Sequence, residues 1–289
     1  MKLGTRGALN TVDGPGPSVL AEGIVIRRMP VARRDDEPRL AGEPVDRLHH
    51  GVAIGDRKRA ALTEIVLEID DDQRIHWSEY SPGMAQSTGG EALRDELGQV
   101  LLAPADAMDI SVHGRTEAAV LVPLYLEAEE VHVVFTKRHE ELRRHAGEIS
   151  FPGGRREEGE SDLRATALRE AHEEIGLPTN AVEIVGALQP TPTLATGYAV
   201  YPFVGWIDSG RAWVPSAEEV AAVIELSVGQ LVAGYGRRRL VRRGIPIRTD
   251  TYVIGDHLIW GATARILADL LDRLGAIGLV AGGSPEYDA

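Results

Sequence analysis

The chain has 289 residues, 43% of them hydrophobic, no cysteine and a formal net charge of −13. That length holds one large domain or two small ones with a sizeable core, and the absence of cysteine excludes disulfides, thiolate metal sites and cysteine nucleophiles. The acidic balance argues against broad nucleic-acid binding. No apolar run approaches the roughly 20 residues needed to cross a bilayer.

The N-terminus carries no compact secretory h-region. With cysteine-free composition, this sets the expectation of a soluble cytoplasmic protein with no nucleic-acid partner and no membrane partner. Residues 1–60 mix Gly, Pro, Arg and Asp without lasting periodicity, as in Gly14-Pro15-Gly16-Pro17 and Arg33-Arg34-Asp35-Asp36. They read as loop or flexible extension. Residues 61–69 predict a strand, closed by a turn at Asp70-Asp71-Asp72. Organisation changes near residue 88, so residues 1–87 are expected to be an N-terminal extension of unknown role. A helix is predicted over 91–102, then a strand hairpin over 118–126 and 131–136 that turns across 127–130. Gly153-Gly154 leads into a helix with Ser161 as N-cap candidate and Asp162 favourable to the helix dipole. Leu163, Ala167, Ala171 and Ile175 supply its buried side; Gly176 ends it and Pro178 bars its continuation. Strands follow over 182–188 and 200–207, helices over 218–226 and 261–274. The basic run Arg237, Arg238, Arg239, Arg242 and Arg243 reads as an amphipathic or edge strand. The fold class is α/β, with a mixed sheet between helices.

The glycine-led helix carries the chemistry. At about 100° per residue, Glu170, Glu173 and Glu174 share one face. Three clustered carboxylates raise one another's pKa unless a cation neutralises them, and a hard ion such as Mg2+ or Mn2+ suits an all-oxygen donor set. Arg169, one turn before Glu173, can hold a carboxylate through its planar fork. The bland alternative is a solvated acidic helix. Upstream, Lys137, Arg138, Arg143, Arg144 and His145, with Arg155 and Arg156 after the glycines, concentrate positive charge suited to an anionic substrate. His139, His145 and His172 have no metal-site spacing and read as surface or supporting residues. Glu218 and Glu219 stand where carboxylates complement the dipole of the helix expected there.

Gly154, Glu160 and Arg169-Glu170-Ala171-His172-Glu173-Glu174-Ile175-Gly176-Leu177 resemble the Nudix box, G-x5-E-x7-R-E-U-x-E-E-x-G-U, where U is aliphatic. Eight residues separate Glu160 from Arg169, one more than the general pattern. Thr136, Arg138, Arg143, Gly147 and Phe151-Pro152-Gly153-Gly154 are similar to the motif that precedes the box in coenzyme A diphosphatases, a subgroup in which the extra residue is typical. Val134-Phe135 replaces its Leu-Leu pair, and His139 its small residue. Gly197-Tyr198-Ala199-Val200-Tyr201-Pro202 resembles the subgroup's GY-x-V-x-P segment.

The resemblance implies a Nudix-type α/β/α sandwich over residues 88–276, with 277–289 as a C-terminal tail. It implies hydrolysis of the pyrophosphate bond of coenzyme A or acyl-CoA to 3′,5′-ADP and 4′-phosphopantetheine or its acylated form. The catalytic set would be Glu160, Arg169, Glu170, Glu173 and Glu174. Glu170, Glu173 and Glu174 would hold Mg2+ or Mn2+, while Arg138, Arg143, Gly147, Phe151, Gly153, Gly154 and Tyr198 would bind substrate. Glu219 enters as a late acidic residue of the kind that assists such enzymes, and a homodimer is compatible with the family. Two alternatives stay open: the same reaction on ADP-ribose, a dinucleotide or another nucleoside diphosphate derivative, and a noncatalytic ligand-sensing or interaction module.

Overall fold

A computed structural model describes residues 19–20, 24–27, 65–68, 79–80, 89–114, 116–142, 147–193, 197–242 and 245–281. The loops expected at 14–17 and 33–36, the turn at 70–72, and Arg143, Arg144 and His145 lie outside the described residues. The chain divides into two compact units, Met1–Ile69 with Arg239–Ile247, and Asp70–Arg238 with Arg248–Ala289.

In the first unit, β1 (Val19–Leu20) pairs antiparallel with β2 (Ile24–Arg27), which runs parallel to β3 (Ile65–Glu68). Residues 239–242 pair antiparallel with β3, Leu240 opposite Leu67 and Arg242 opposite Ile65. The strand read in 61–69 therefore finds its partner in the arginine run, whose Leu240 is buried while Arg239 is exposed.

The second unit begins with β4 (Glu79–Tyr80), α1 (Gly90–Val100) and α2 (Pro104–Asp109), then the hairpin β5 (Thr116–Glu127) and β6 (Glu130–Arg138). Two short strands, β7 (Ile149–Ser150) and β8 (Gly153–Arg155), lead into α3 (Leu163–Ile175). After it come β9 (Glu183–Ala187), β10 (Thr191–Pro192), β11 (Tyr198–Trp206), β12 (Val220–Ser227) and α4 (Val228–Gly234). The strands β13 (Tyr235–Arg242) and β14 (Ile245–Ile254), whose residues 239–242 and 245–247 belong to the first unit, then β15 (His257–Trp260), helix α5 (Gly261–Ala276) and β16 (Val280–Ala281) complete the order.

The main sheet runs β10-β11-β5-β6-β12, with β7 on β6, β8 on β5 and β9 on β11. It is mixed, because β11 lies parallel to β5 while its other pairings are antiparallel. Side chains alternate across it. Ala119, Leu121, Val134 and Phe203 face α3 through Leu163, Ala167, Ala171 and Ile175. Val122, Leu124, Val133 and Phe135 face the other way, onto Leu93 and Leu97 of α1, Leu231 of α4 and Leu267, Leu270 and Leu271 of α5. The expected α/β architecture with a mixed sheet between helices is what forms. Among the described residues no helix is long and apolar enough to cross a membrane.

Two local expectations are corrected. Residues 218–226 do not form a helix: Val220–Ser227 is a strand, antiparallel to β6. Apolar Val220, Val223 and Ile224 fall at helical spacing, but the open edge of β6 offers pairing that a β-branched segment satisfies, so tertiary context prevails. The N-cap of α3 is Asp162, not Ser161. Its carboxylate accepts from the backbone N–H groups of Arg164 at 2.9 Å and Ala165 at 3.1 Å.

The other end of α3 also depends on its sequence. Gly176 adopts φ +70°, and its N–H and that of Leu177 return to the carbonyls of His172 and Ala171. The loop before β12 takes two more carbonyls: Val214 N–H donates to Ile175 O at 3.1 Å and Ser216 N–H to Glu174 O at 2.9 Å. A Cβ on Gly176 would stand 2.8 Å from Val214 Cβ. Gly176→Ala is therefore expected to cost roughly 1–2 kcal/mol, from left-handed strain and displacement of that loop, read as a lower midpoint in urea unfolding.

Candidate active site

The site is built where β8 meets α3. Leu121 N–H donates to Pro152 O at 2.9 Å, and Gly153 and Gly154 pair opposite Val120 and Ala119. A Cβ on Gly153 would overlap the Ala119 carbonyl, and one on Gly154 would overlap the Glu170 carboxylate. Backbone approach thus requires glycine at 153, whereas at 154 the missing side chain leaves room for the end of Glu170. Phe151 anchors the turn from the core, buried at 2% exposure and stacked on Phe135 with ring centroids 4.8 Å apart. Its part is to hold the glycines in place. Gly147, at φ +68°, makes the preceding turn.

Arg169 is the hub. Its Nε donates to Glu160 Oε1 at 2.8 Å, Nη1 to Glu173 Oε2 at 2.8 Å, and Nη2 to Glu170 Oε1 at 2.9 Å and to the Arg155 carbonyl at 3.1 Å. The other oxygen of Glu160 accepts from Thr166 Oγ1 at 2.6 Å and Glu157 N–H at 2.7 Å. Burial alone would raise the pKa of Glu160, but these hydrogen bonds from Thr166, Arg169 and Glu157 outweigh it and hold it below the ordinary value. The sequence reading passed over Thr166, although it lies four residues before Glu170 on the carboxylate face.

Glu174 is placed differently. It is 5% exposed, accepts from Gly153 N–H at 3.3 Å, and has Arg138 Nη1 3.6 Å from Oε1. Burial, then the negative charge of Glu170, push it up to about 8, against the opposing pull of Arg138 and the Gly153 N–H. Burial also raises Glu170, which Arg169 partly offsets. Arg138 Nη2 lies 3.4 Å from Glu219 Oε2, and the Glu219 carbonyl accepts from His139 N–H at 3.1 Å. Glu219 therefore stands beside the helix carboxylates, in the loop before β12 rather than on a helix. Tyr198 lies on β11, where its hydroxyl accepts from Arg155 Nε at 2.7 Å.

Among the described residues no three acidic or histidine side chains are gathered as a ready-made metal cage. The physical reason is that Arg169 draws Glu160, Glu170 and Glu173 to itself. The donor set still fits a hard divalent cation: Glu170 is half-buried and Glu174 buried, both are raised in pKa and each adds to the other's repulsion, which a 2+ charge would relieve.

Comparison with known proteins gives this geometry a family. The uncharacterized Nudix hydrolase NudL of Enterobacter sp. (strain 638) is 37% identical over 177 residues, which cover 61% of this chain and 90% of that one. The chain belongs to the Nudix hydrolase family. Its residues 115–241 match the NUDIX domain model. The Nudix hydrolase NudL of Salmonella paratyphi B, also called uncharacterized, is 37% identical over 163 residues, 56% of this chain and 84% of its own length. Among solved structures, a MutT/nudix family protein from Enterococcus faecalis is matched at 11% identity, over 65% of this chain and 75% of that chain, with a TM-score of 0.40.

Two outcomes follow from the geometry of the Nudix box. In Gly154→Ala the new methyl displaces the end of a flexible side chain, Glu170, so the melting temperature should fall by only a few degrees, while turnover should drop about 100-fold as that carboxylate leaves its hydrogen bond to Arg169. For Glu174, a folded pKa of about 8 against the ordinary 4.5 means that the folded state holds the proton more tightly. Stability present below pH 4.5 is lost as pH rises towards 8. Glu174→Gln should therefore stabilise the metal-free protein at pH 8 by roughly 2 kcal/mol, and less at pH 5, in thermal melts at the two pH values.

Proposed function

We propose that this Nudix hydrolase cleaves the pyrophosphate bond of coenzyme A or an acyl-CoA, giving 3′,5′-ADP and 4′-phosphopantetheine or its acylated form. The observation that carries the reading is the position of Arg138. It belongs to the segment before the box that resembles the coenzyme A diphosphatase motif, and its guanidinium lies between Glu174 of the box and Glu219. The motif and the box thus supply opposite charges to one place, as an anionic substrate held through a cation requires.

In this reading Glu170 and Glu174 hold Mg2+ or Mn2+, and Glu173, whose carboxylate is exposed, assists through metal or water contacts. When bound, the ion polarises phosphoryl oxygens, orients water and neutralises developing charge. Glu160 and Arg169 keep the carboxylates in register. Arg138 offers N–H donors to the phosphoryl oxygens, and the Gly153-Gly154 backbone lets the diphosphate come close. Water adds across the P–O–P bridge: one P–O bond forms, one breaks, and each product leaves with a phosphate. No side-chain nucleophile is needed. The reaction is assigned to the cytoplasm, in keeping with the cysteine-free chain.

The test is parallel incubation of the purified protein with coenzyme A, ADP-ribose and NADH, with and without Mg2+ or Mn2+, and mass spectrometry of the products. The expected result is metal-dependent 3′,5′-ADP and phosphopantetheine, formed fastest from coenzyme A and reduced at least about 100-fold by Glu174→Gln. Faster cleavage of ADP-ribose or NADH would transfer the substrate assignment to another nucleoside diphosphate derivative. No turnover on any of the three would reject the coenzyme A reading.

A further inference from the structure

The arginines around the carboxylate cluster are paired with acids. Arg138 meets Glu174 and Glu219, Arg156 meets Glu117, Arg164 meets Asp162, and Arg169 meets three glutamates. Arg155 differs. It is exposed, it has no carboxylate partner among the described residues, and its Nε is taken by the Tyr198 hydroxyl at 2.7 Å. Its guanidinium carbon lies 5.3 Å from the centre of the Tyr198 ring. Nη1 and Nη2 remain without hydrogen-bond partners among the described residues.

Both residues are held. Nη2 of Arg169 binds the Arg155 carbonyl at 3.1 Å. Tyr198 N–H donates to Thr193 Oγ1 at 2.8 Å, and Thr193 N–H returns to the Tyr198 carbonyl at 2.9 Å. The register fixes the direction each side chain takes. Gly154 is opposite Ala119 and faces α3, whereas Arg155 is opposite Ala118, which packs on the other side of the sheet. Tyr198 is opposite Thr116, two residues from Ala118 on the same strand and therefore on the same face as Arg155. The Arg155–Tyr198 pair thus projects away from the glutamates while its backbone is bonded to their hub.

In a chain of net charge −13 with abundant carboxylates, an arginine held in one plane by a tyrosine and left without an acidic partner is suited to an external anion. We infer that Arg155, oriented by Tyr198, binds a phosphate monoester of the substrate, separate from the diphosphate cleaved at Glu170 and Glu174. Its two free N–H arms match two phosphate oxygens. The inference rests on the proposed function, under which the group is the 3′-phosphate of the nucleotide half.

Calorimetric titration of the full chain without added metal, using 3′,5′-ADP and 5′-AMP, tests it. The wild type should prefer 3′,5′-ADP by about tenfold, and Arg155→Ala should bring the ratio close to one. Arg155→Lys, which keeps the charge and loses the fork, and Tyr198→Phe, which keeps the ring and loses the hydroxyl, should lie between. A wild-type ratio near one, an unchanged ratio in Arg155→Ala, or equal weakening of both ligands would overturn the inference. Coenzyme A turnover, measured in parallel, reports on the proposed function separately. A protein that hydrolyses coenzyme A with a ratio independent of Arg155 keeps its function and loses this site; one that shows the ratio without hydrolysis keeps the phosphate site and loses the function.

Discussion

One guanidinium organises the carboxylates of this protein. Arg169 spends its fork on Glu160, Glu170 and Glu173 and on the carbonyl of Arg155, so a helix face that would repel itself is instead tied to the strand before it. Planarity matters here, because an ammonium would supply similar charge without three fixed directions. Glu174 escapes this arrangement. Its stabilisation comes from Arg138, 3.6 Å away at the end of β6, and from one glycine N–H. That is too little to offset burial, which holds its carboxyl well above the ordinary range and leaves a charge that a cation would stabilise.

Close backbone approach makes this geometry reachable. Gly153 and Gly154 let β8 lie against β5 on one side and against the Glu170 carboxylate on the other. Ala167 and Ala171, both fully buried, bring α3 near the sheet with little intervening bulk. Beyond the helix, Gly176 admits Val214, and the loop that follows is bound to the last carbonyls of α3 before it delivers Glu219. Structural bonds to the helix end and the position of an acidic side chain at the site are therefore parts of one connection.

Much of this was legible in local sequence. The spacing of Glu170, Glu173 and Glu174 depends only on the helical repeat, and Arg169 lies within reach of Glu173 by the same geometry. The hairpin of β5 and β6, the helix α5 and the stop at Gly176 each follow from short-range periodicity or backbone preference. The strand Val220–Ser227 was not legible, because Val220, Val223 and Ile224 satisfy a helical spacing as well as a strand. Only the edge of β6 distinguished the two. Ser161 and Asp162 are both good caps, and the choice depended on which side chain reached the first free N–H groups.

By itself, then, the sequence determined which residues share a helix face, where that helix stops, and that the polar side of that helix is built of carboxylates, since these depend on residue type and near neighbours in the chain. Tertiary structure alone decided that Arg138 and Glu219, 81 residues apart, meet over Glu174, that Phe151 serves the core, and that Arg155 turns towards Tyr198. Those contacts arise from strand register and sheet order, and register is set by the burial of whole faces, which no short segment of sequence carries.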